Sequence, residues 1–231
     1  MKEINFSIIN WSAWAPGLET IDDWTEWALN KKSISDDFTL SPNIDFIDAM
    51  QRRRLSQLTK MALKTSHDCL QNHENNIESV FASRYGELKQ TIKLLKAISD
   101  KTEVSPAGFS LSVHNSAAGI NSIITKNTAA YTAIAASEMT FEMAFIEALG
   151  RLQNQEKILL VVGEEYVKEI IEAGAPFTVA LLLAKNDGQK ISATFGEKKL
   201  QHENSALSFL KWLIADTDKI FPTKLISFAK K

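Results

Sequence analysis

Residues 137–150, SEMTFEMAFIEALG, constrain the fold of this chain more than any other stretch. Met139, Phe141, Met143, Phe145, Ile146 and Leu149 cover most of the circumference of the helix that this spacing predicts. A helix apolar nearly all round is buried in the middle of something, either its own domain or a partner. Ser137 reads as its N-cap, and Glu138 in the first turn suits the helix dipole. Two continuous apolar runs follow, KILLVV over Lys157–Val162 and FTVALLLAK over Phe177–Lys185. Strands that are apolar without alternation are buried on both faces. The chain is therefore expected to be α/β, with one helix enclosed at its centre.

The remaining elements follow in order. Ile4–Asn10 reads as a first strand, broken into a loop by Trp11-Ser-Ala-Trp-Ala-Pro-Gly17. A short helix is expected next, capped by Thr20 or Asp22, with Trp24 and Trp27 on one face. The four tryptophans between Trp11 and Trp27 are either an aromatic edge of the core or an interface, and both readings stand. Lys31–Asp45 is polar and reads as a surface loop. Phe46–Asn72 reads as one helix, with Leu55, Leu58, Ala62, Thr65 and Cys69 as its buried stripe. Ile77–Ser83 reads as a strand, and Arg84–Ile98 as a helix with Leu88, Ile92, Leu95 and Ile98 inward. Thr128–Ala135 is a strand leading to the central helix. Asn186-Asp187-Gly188 predicts a turn through which Gln189–Phe195 pairs back on the preceding strand as a hairpin. Ser205–Ala215 is a last helix carrying Leu207, Leu210, Trp212 and Ile214. No repeat or linker divides residues 1–231, which read as a single domain.

Several function classes are excluded at this level. A net charge of −2 lacks the basic excess of a general nucleic-acid binder. One cysteine, Cys69, permits no internal disulfide and no multi-cysteine metal site, and it fits a reducing compartment. His67, Cys69 and His73 make a poor ligand set, because position 67 points away from the other two on a helix and no fourth ligand is near. No metal or cofactor is expected. No apolar run is long enough to span a bilayer and no signal peptide is evident, so the expected location is cytoplasmic.

A strand, a turn of small residues and a buried helix also describe a nucleophile site. Here that turn, Ala136-Ser137-Glu138, offers only Ser137. A serine nucleophile needs a positioned base, and no histidine is local, His114 being a strand and a loop away. Ser137 thus reads first as a helix cap; the alternative is a Ser137-dependent acyltransferase or hydrolase. Arg52, Arg53 and Arg54 read either as a solvated rim or as a contact for an acidic protein partner.

The order of these pieces resembles the N-terminal half of the β-ketoacyl synthases of the thiolase-like fold. SPAGFSLSVHNSAAGINSI (Ser105–Ile123) is similar to the segment in which Pro-Asn-Met-Ala-Ala-Gly precedes an interface helix. AAYTAIAASEMTFEMAFIEAL (Ala129–Leu149) is similar to the strand and elbow carrying Thr-Ala-Cys, followed by the central helix. KILLVVGEE is similar to the strand that ends Gly-Gly-Ala-Glu in the synthases. RRRLSQLTKMALKTSHDCL and ESVFASRYGELKQTIKLL are similar to the helix and to the strand with its glycine-rich turn upstream. The resemblance implies a truncated thiolase-like fold: a mixed central sheet flanked by helices around the buried one.

Two departures shape what the resemblance implies for function. The synthase cysteine falls within Ala136, Ser137 and Glu138, none of which is Cys, so the elbow is degenerate. The family's C-terminal half, which supplies two histidines and a lysine, is not expected after Lys231. Family members without the cysteine act as chain-length factors, and a short version is similar to the ketosynthase partner of aryl polyene clusters. The resemblance therefore implies a non-catalytic subunit of a polyketide or fatty-acid-like pathway. Its implied partners are a full-length β-ketoacyl synthase, as an obligate heterodimer, and the acyl carrier protein that bears the growing chain. It also implies that Phe109, Leu111, Val113, His114 and Asn115, with Met143, lie at the interface or line the acyl tunnel. Half of such a fold would leave one face of its sheet or helix layer for the partner to cover.

Overall fold

A computed structural model describes residues 3–74, 76–171, 174–196, 205–215 and 218–231. In chain order the elements are β1 (Glu3–Trp14), α1 (Ile21–Ala28), α2 (Ala49–Arg52), α3 (Gln57–Cys69), β2 (Ser79–Ala82), α4 (Leu88–Ser99), α5 (Pro106–Ser110) and α6 (Ser116–Thr125). They continue with β3 (Tyr131–Ile134), a 3-10 turn (Ser137–Met139), α7 (Thr140–Leu152), β4 (Lys157–Glu164), β5 (Phe177–Ala184), β6 (Gln189–Phe195), α8 (Ser205–Ala215), β7 (Ile220–Pro222) and β8 (Ile226–Lys230).

Among the described residues the strands form one eight-stranded mixed sheet in the order β3-β2-β4-β5-β1-β6-β8-β7. The pairs β2–β3 and β2–β4 are parallel, and the others are antiparallel. The apolar runs serve both faces, as their lack of alternation requires. Ile158, Leu160 and Val162 of β4, with Val179, Leu181 and Leu183 of β5, join the larger core with Phe141, Phe145 and Leu149 of α7 and Phe209 and Leu213 of α8. The intervening Leu159, Val161, Ala180 and Leu182 turn to the opposite face and meet Ala62 and Cys69 of α3 and Ala117 and Ala118 of α6. The molecule is thus an α/β fold with helices on both faces of a mixed sheet.

Four local expectations need correction. The first strand does not stop at Asn10; β1 runs on to Trp14, with a register shift between Ile8 and Asn10. Trp14 and Trp24 are then buried in the core, with Trp11 and Trp27 packed at its edge. The helix expected over Phe46–Asn72 is two helices, because Ser56 caps a new start by accepting from the Thr59 N–H at 3.0 Å. The Asn186–Gly188 turn joins no hairpin: β1 lies between β5 and β6, with Ile8 paired to Leu183 on one side and Gln189 on the other. Gly188, at φ +89°, passes directly over the middle of β1, where a Cβ would come within 2.3 Å of the Ile8 carbonyl oxygen. Finally, the apolar stripe of α4 does not face inward. No residue of α4 is buried, and Leu95 and Ile98 are about 60% exposed.

The central helix is enclosed on most of its surface. Phe145 and Phe141 meet Phe209 of α8 and Phe228 of β8 at centroid distances of 4.7–6.4 Å. This chain's own C-terminal segment therefore covers that side of α7. What α7 leaves open is the opposite stripe, where Met139 and Met143 are exposed rather than buried.

Candidate functional site

Three segments meet near the C-terminal end of β3: the turn into α7, the loop from α5 into α6, and the loop after β2. Each can be built from its residues.

The turn Ala136-Ser137-Glu138 holds Ser137 at φ +53°, in the left-handed region that a non-glycine residue enters only under constraint. That is the conformation of a nucleophile elbow, but the side chain is not a helix cap: no side-chain cap bond is made at the start of the 3-10 turn or of α7. Thr140 braces the turn instead. Its Oγ1 accepts from the Ala136 N–H at 3.0 Å and donates to the Ser137 carbonyl at 2.7 Å. Ser137 is exposed. Glu138 reaches Lys224, in the turn between β7 and β8, at 2.9 Å, and this cation, with Arg84 nearby, lowers its carboxyl pKa.

The second piece carries the residues named from the family segment. Ser105 caps α5 through the Gly108 N–H, with Pro106 at the first helical position. Phe109 and Val113 are then 62% and 44% exposed, and Leu111 is half-buried. His114 Nε2 lies 2.7 Å from the Ser83 carbonyl oxygen, and Asn115 donates to the Tyr131 hydroxyl on β3 at 3.4 Å. Ile123 on α6, Tyr131 on β3 and Met139 and Met143 before and on α7 add to the apolar exposure. Both α6 and α7 pack on β3, so these side chains flank a strand whose outer edge has no neighbour in the sheet. Free strand edges and clustered exposed apolar side chains are features that association surfaces share.

The third piece was not foreseen from the sequence. The loop after β2 is held by the two glutamates at the end of β4. Glu164 accepts from Ser83 Oγ at 2.9 Å, from the Arg84 N–H and from the Tyr85 N–H at 3.4 Å. Glu165 accepts from the Lys89 N–H at 2.5 Å, and Glu87 accepts from Thr59 Oγ1 at 2.7 Å. Burial raises the pKa of all three carboxyls, Glu165 to about 7. Gly86, at φ +58°, lets His114 approach, since a Cβ there would come within 2.8 Å of the imidazole Cδ2. The signal was the Gly163-Glu164-Glu165 run closing an apolar strand, where buried carboxylates need the donors of a nearby loop. Beneath His114 a small pocket of about 20 Å³, lined by Leu58, Ala62, Phe81, Val161 and Thr178, has room for a water.

The chain's one thiol is elsewhere. Cys69 is buried on the α3 face of the sheet, 3.6 Å from the Asn10 carbonyl oxygen, and burial pushes its pKa up to about 12. Among the described residues no group of three or more His, Cys, Asp or Glu could hold a metal ion, and no helix is long and apolar enough to cross a membrane. His67 is stacked on Phe46 at 3.9 Å, while His202 lies outside the described residues.

Residues 24–219 match the family model for the β-ketoacyl synthase N-terminal domain. The chain belongs to this family. No curated protein sequence matches it. Among solved structures, 98% of the chain superposes on 99% of a chain from a ketosynthase (ApeO) in complex with its chain length factor (ApeC) from Xenorhabdus doucetiae, at 25% identity and a TM-score of 0.85. The ishigamide ketosynthase/chain length factor gives 16% identity and a TM-score of 0.65, over 94% of this chain and 75% of that one. Ketosynthase twelve of the bacillaene polyketide synthase from Bacillus amyloliquefaciens gives 11% and 0.57, over 86% and 46%. The last two share the fold of this β-ketoacyl synthase N-terminal domain.

Proposed function

We propose that this chain is a non-catalytic, chain-length-factor-like subunit that pairs with an active β-ketoacyl synthase and shapes the acyl tunnel in polyketide or aryl polyene biosynthesis. The observation that carries the reading is the elbow. The chain aligns almost end to end with a member of a ketosynthase–chain length factor complex, yet its elbow offers Ser137 where condensation requires a thiolate. Among the described residues Ser137 has no histidine as a hydrogen-bond partner, and Cys69 is buried on the other face of the sheet with a thiol that stays protonated at physiological pH. Residues 1–231 act as one domain in this reading, in the cytoplasm.

The partner surface is the free edge of β3 with Phe109, Val113, Met139 and Met143 around it. Leu111, Val113, His114 and Asn115 stand where the acyl chain of the partner would pass, and the growing chain arrives on an acyl carrier protein. Arg53 and Arg54, exposed at the end of α2, would meet that carrier's acidic surface.

Co-expression with a full-length ketosynthase tests this directly. The two chains are expected to co-purify as a stable heterodimer with condensing activity that depends on the synthase cysteine. A chain that stays monomeric in the presence of the synthase, or that turns over acyl substrates alone, would overturn it.

A further inference from the structure

Ser83, the first residue after β2, is bonded at once to β3, to the end of β4 and to the segment Phe109–Asn115. Its N–H donates to the Ile134 carbonyl at 3.1 Å, which ties it to the strand that leads into the elbow. Its Oγ donates to Glu164 at 2.9 Å and accepts from the Gly86 N–H at 2.8 Å. Its carbonyl accepts from His114 Nε2 at 2.7 Å. Ser83 is buried, where such bonds are stronger than they would be in water.

His114, by contrast, is exposed. A carbonyl oxygen only accepts, so Nε2 carries the hydrogen and the bond fixes both the place and the tautomer of the ring. A second tie of this segment, from Asn115 to the Tyr131 hydroxyl, is longer at 3.4 Å. The Ser83 carbonyl is the firmer anchor of the two. Ser83 is itself held in place. Glu164 accepts from its hydroxyl and from the Arg84 and Tyr85 N–H groups, using both carboxylate oxygens. An amide in that place would offer one oxygen and turn an NH2 toward a donor.

We propose that Ser83, clamped by Glu164, is a positioning residue that sets His114, and with it the Phe109–Asn115 segment, against the end of β3. This setting fixes how far the acyl chain can grow. The chain-length step rests on the reading that the segment stands where the partner's acyl chain passes; the clamp does not.

Nitrogen-15 NMR of the histidines reads the clamp on the full chain alone, with His114→Asn to assign the signal. The wild type is expected to show His114 as a single Nε2–H tautomer with a slowly exchanging proton. Glu164→Gln and Ser83→Ala should each lose that proton signal and average the tautomers. Gly86→Ala serves should either fold poorly: its Cβ would come within 2.8 Å of the imidazole Cδ2 and displace the ring without touching Glu164 or Ser83.

In the complex with a ketosynthase, the same variants should spread the product over lengths that the wild-type complex does not make. The Kd of the two chains should stay within about twofold of wild type. Leu149→Ala, which weakens the core around α7, should leave product length unchanged, and a Ser83 that only stabilised the fold would behave like it. A His114 signal that Glu164→Gln and Gly86→Ala both leave intact would overturn the clamp. A lost signal with an unaltered product would overturn its control of chain length. If no complex forms, the proposed function fails together with the chain-length step, while the NMR result on the chain alone still decides the clamp.

Discussion

The ring of Phe145 on α7 lies 5.2 Å from that of Phe209 on α8, centroid to centroid, in a cluster that Phe228 completes at 4.7 and 4.9 Å. The chain thereby seals its own central helix with residues from its last third. Phe209 is fully buried, so Phe209→Ala removes a ring at the centre of the cluster and leaves a cavity. A loss of about 3–5 kcal/mol is expected, read as a shift of the urea midpoint. A loss below about 1 kcal/mol would mean that α8 is not what covers α7.

This cluster also marks how far the sequence was legible. The continuous runs of β4 and β5 announced strands buried on both faces, and the near-uniform apolarity of α7 announced a helix at the centre, because burial leaves its record in residue type. Pairing order leaves no such record. Nothing in Asn186-Asp187-Gly188 distinguishes a hairpin turn from one that steps over β1, and only the close approach to Ile8 accounts for the glycine. The outward stripe of α4 misled for a related reason: amphipathic spacing says that a face is covered, not by which molecule. In the site, the missing cysteine was plain at residues 136–138, whereas the bracing by Glu164 and Glu165 depends on a loop some eighty residues away in sequence.

At the elbow, the hydroxyl that matters belongs to Thr140 rather than Ser137. Thr140→Val leaves the Ala136 N–H without its acceptor in a nearly buried place and is expected to cost about 1–3 kcal/mol. Ser137→Ala breaks no cap bond, so stability should stay within about 0.5 kcal/mol of wild type. The same variant should leave the condensing activity of the heterodimer unchanged. Abolished turnover with intact stability would instead favour a serine enzyme.

Cys69 offers a clean chemical readout. With its thiol pushed up to about 12 and its sulfur enclosed between α3 and β1, almost none of it is ionised at pH 8, and thiolate is the form that alkylates. Iodoacetamide should leave the native chain unmodified over a time in which the urea-unfolded chain is fully labelled, as mass spectrometry would report. In the heterodimer, label should then appear only on the synthase. Rapid native labelling of Cys69 would contradict its place in the core.

The exposed rim of β3 separates assembly from tunnel shape. Met143 is 37% exposed on the open stripe of α7, beside Met139 at 38%, so an interface there would bury both. Met143→Asp places an unpaired charge in that contact and should weaken the heterodimer by about 2 kcal/mol or more, some thirtyfold in Kd. Val113, 44% exposed on the loop between α5 and α6, faces a different consequence. Val113→Trp adds bulk where the acyl chain would run, and should leave assembly and labelling of the synthase cysteine intact while shortening the product. Analytical ultracentrifugation and product mass spectrometry together decide the matter: if Val113→Trp alters association and leaves chain length unchanged, the segment Phe109–Asn115 is contact surface and not tunnel wall.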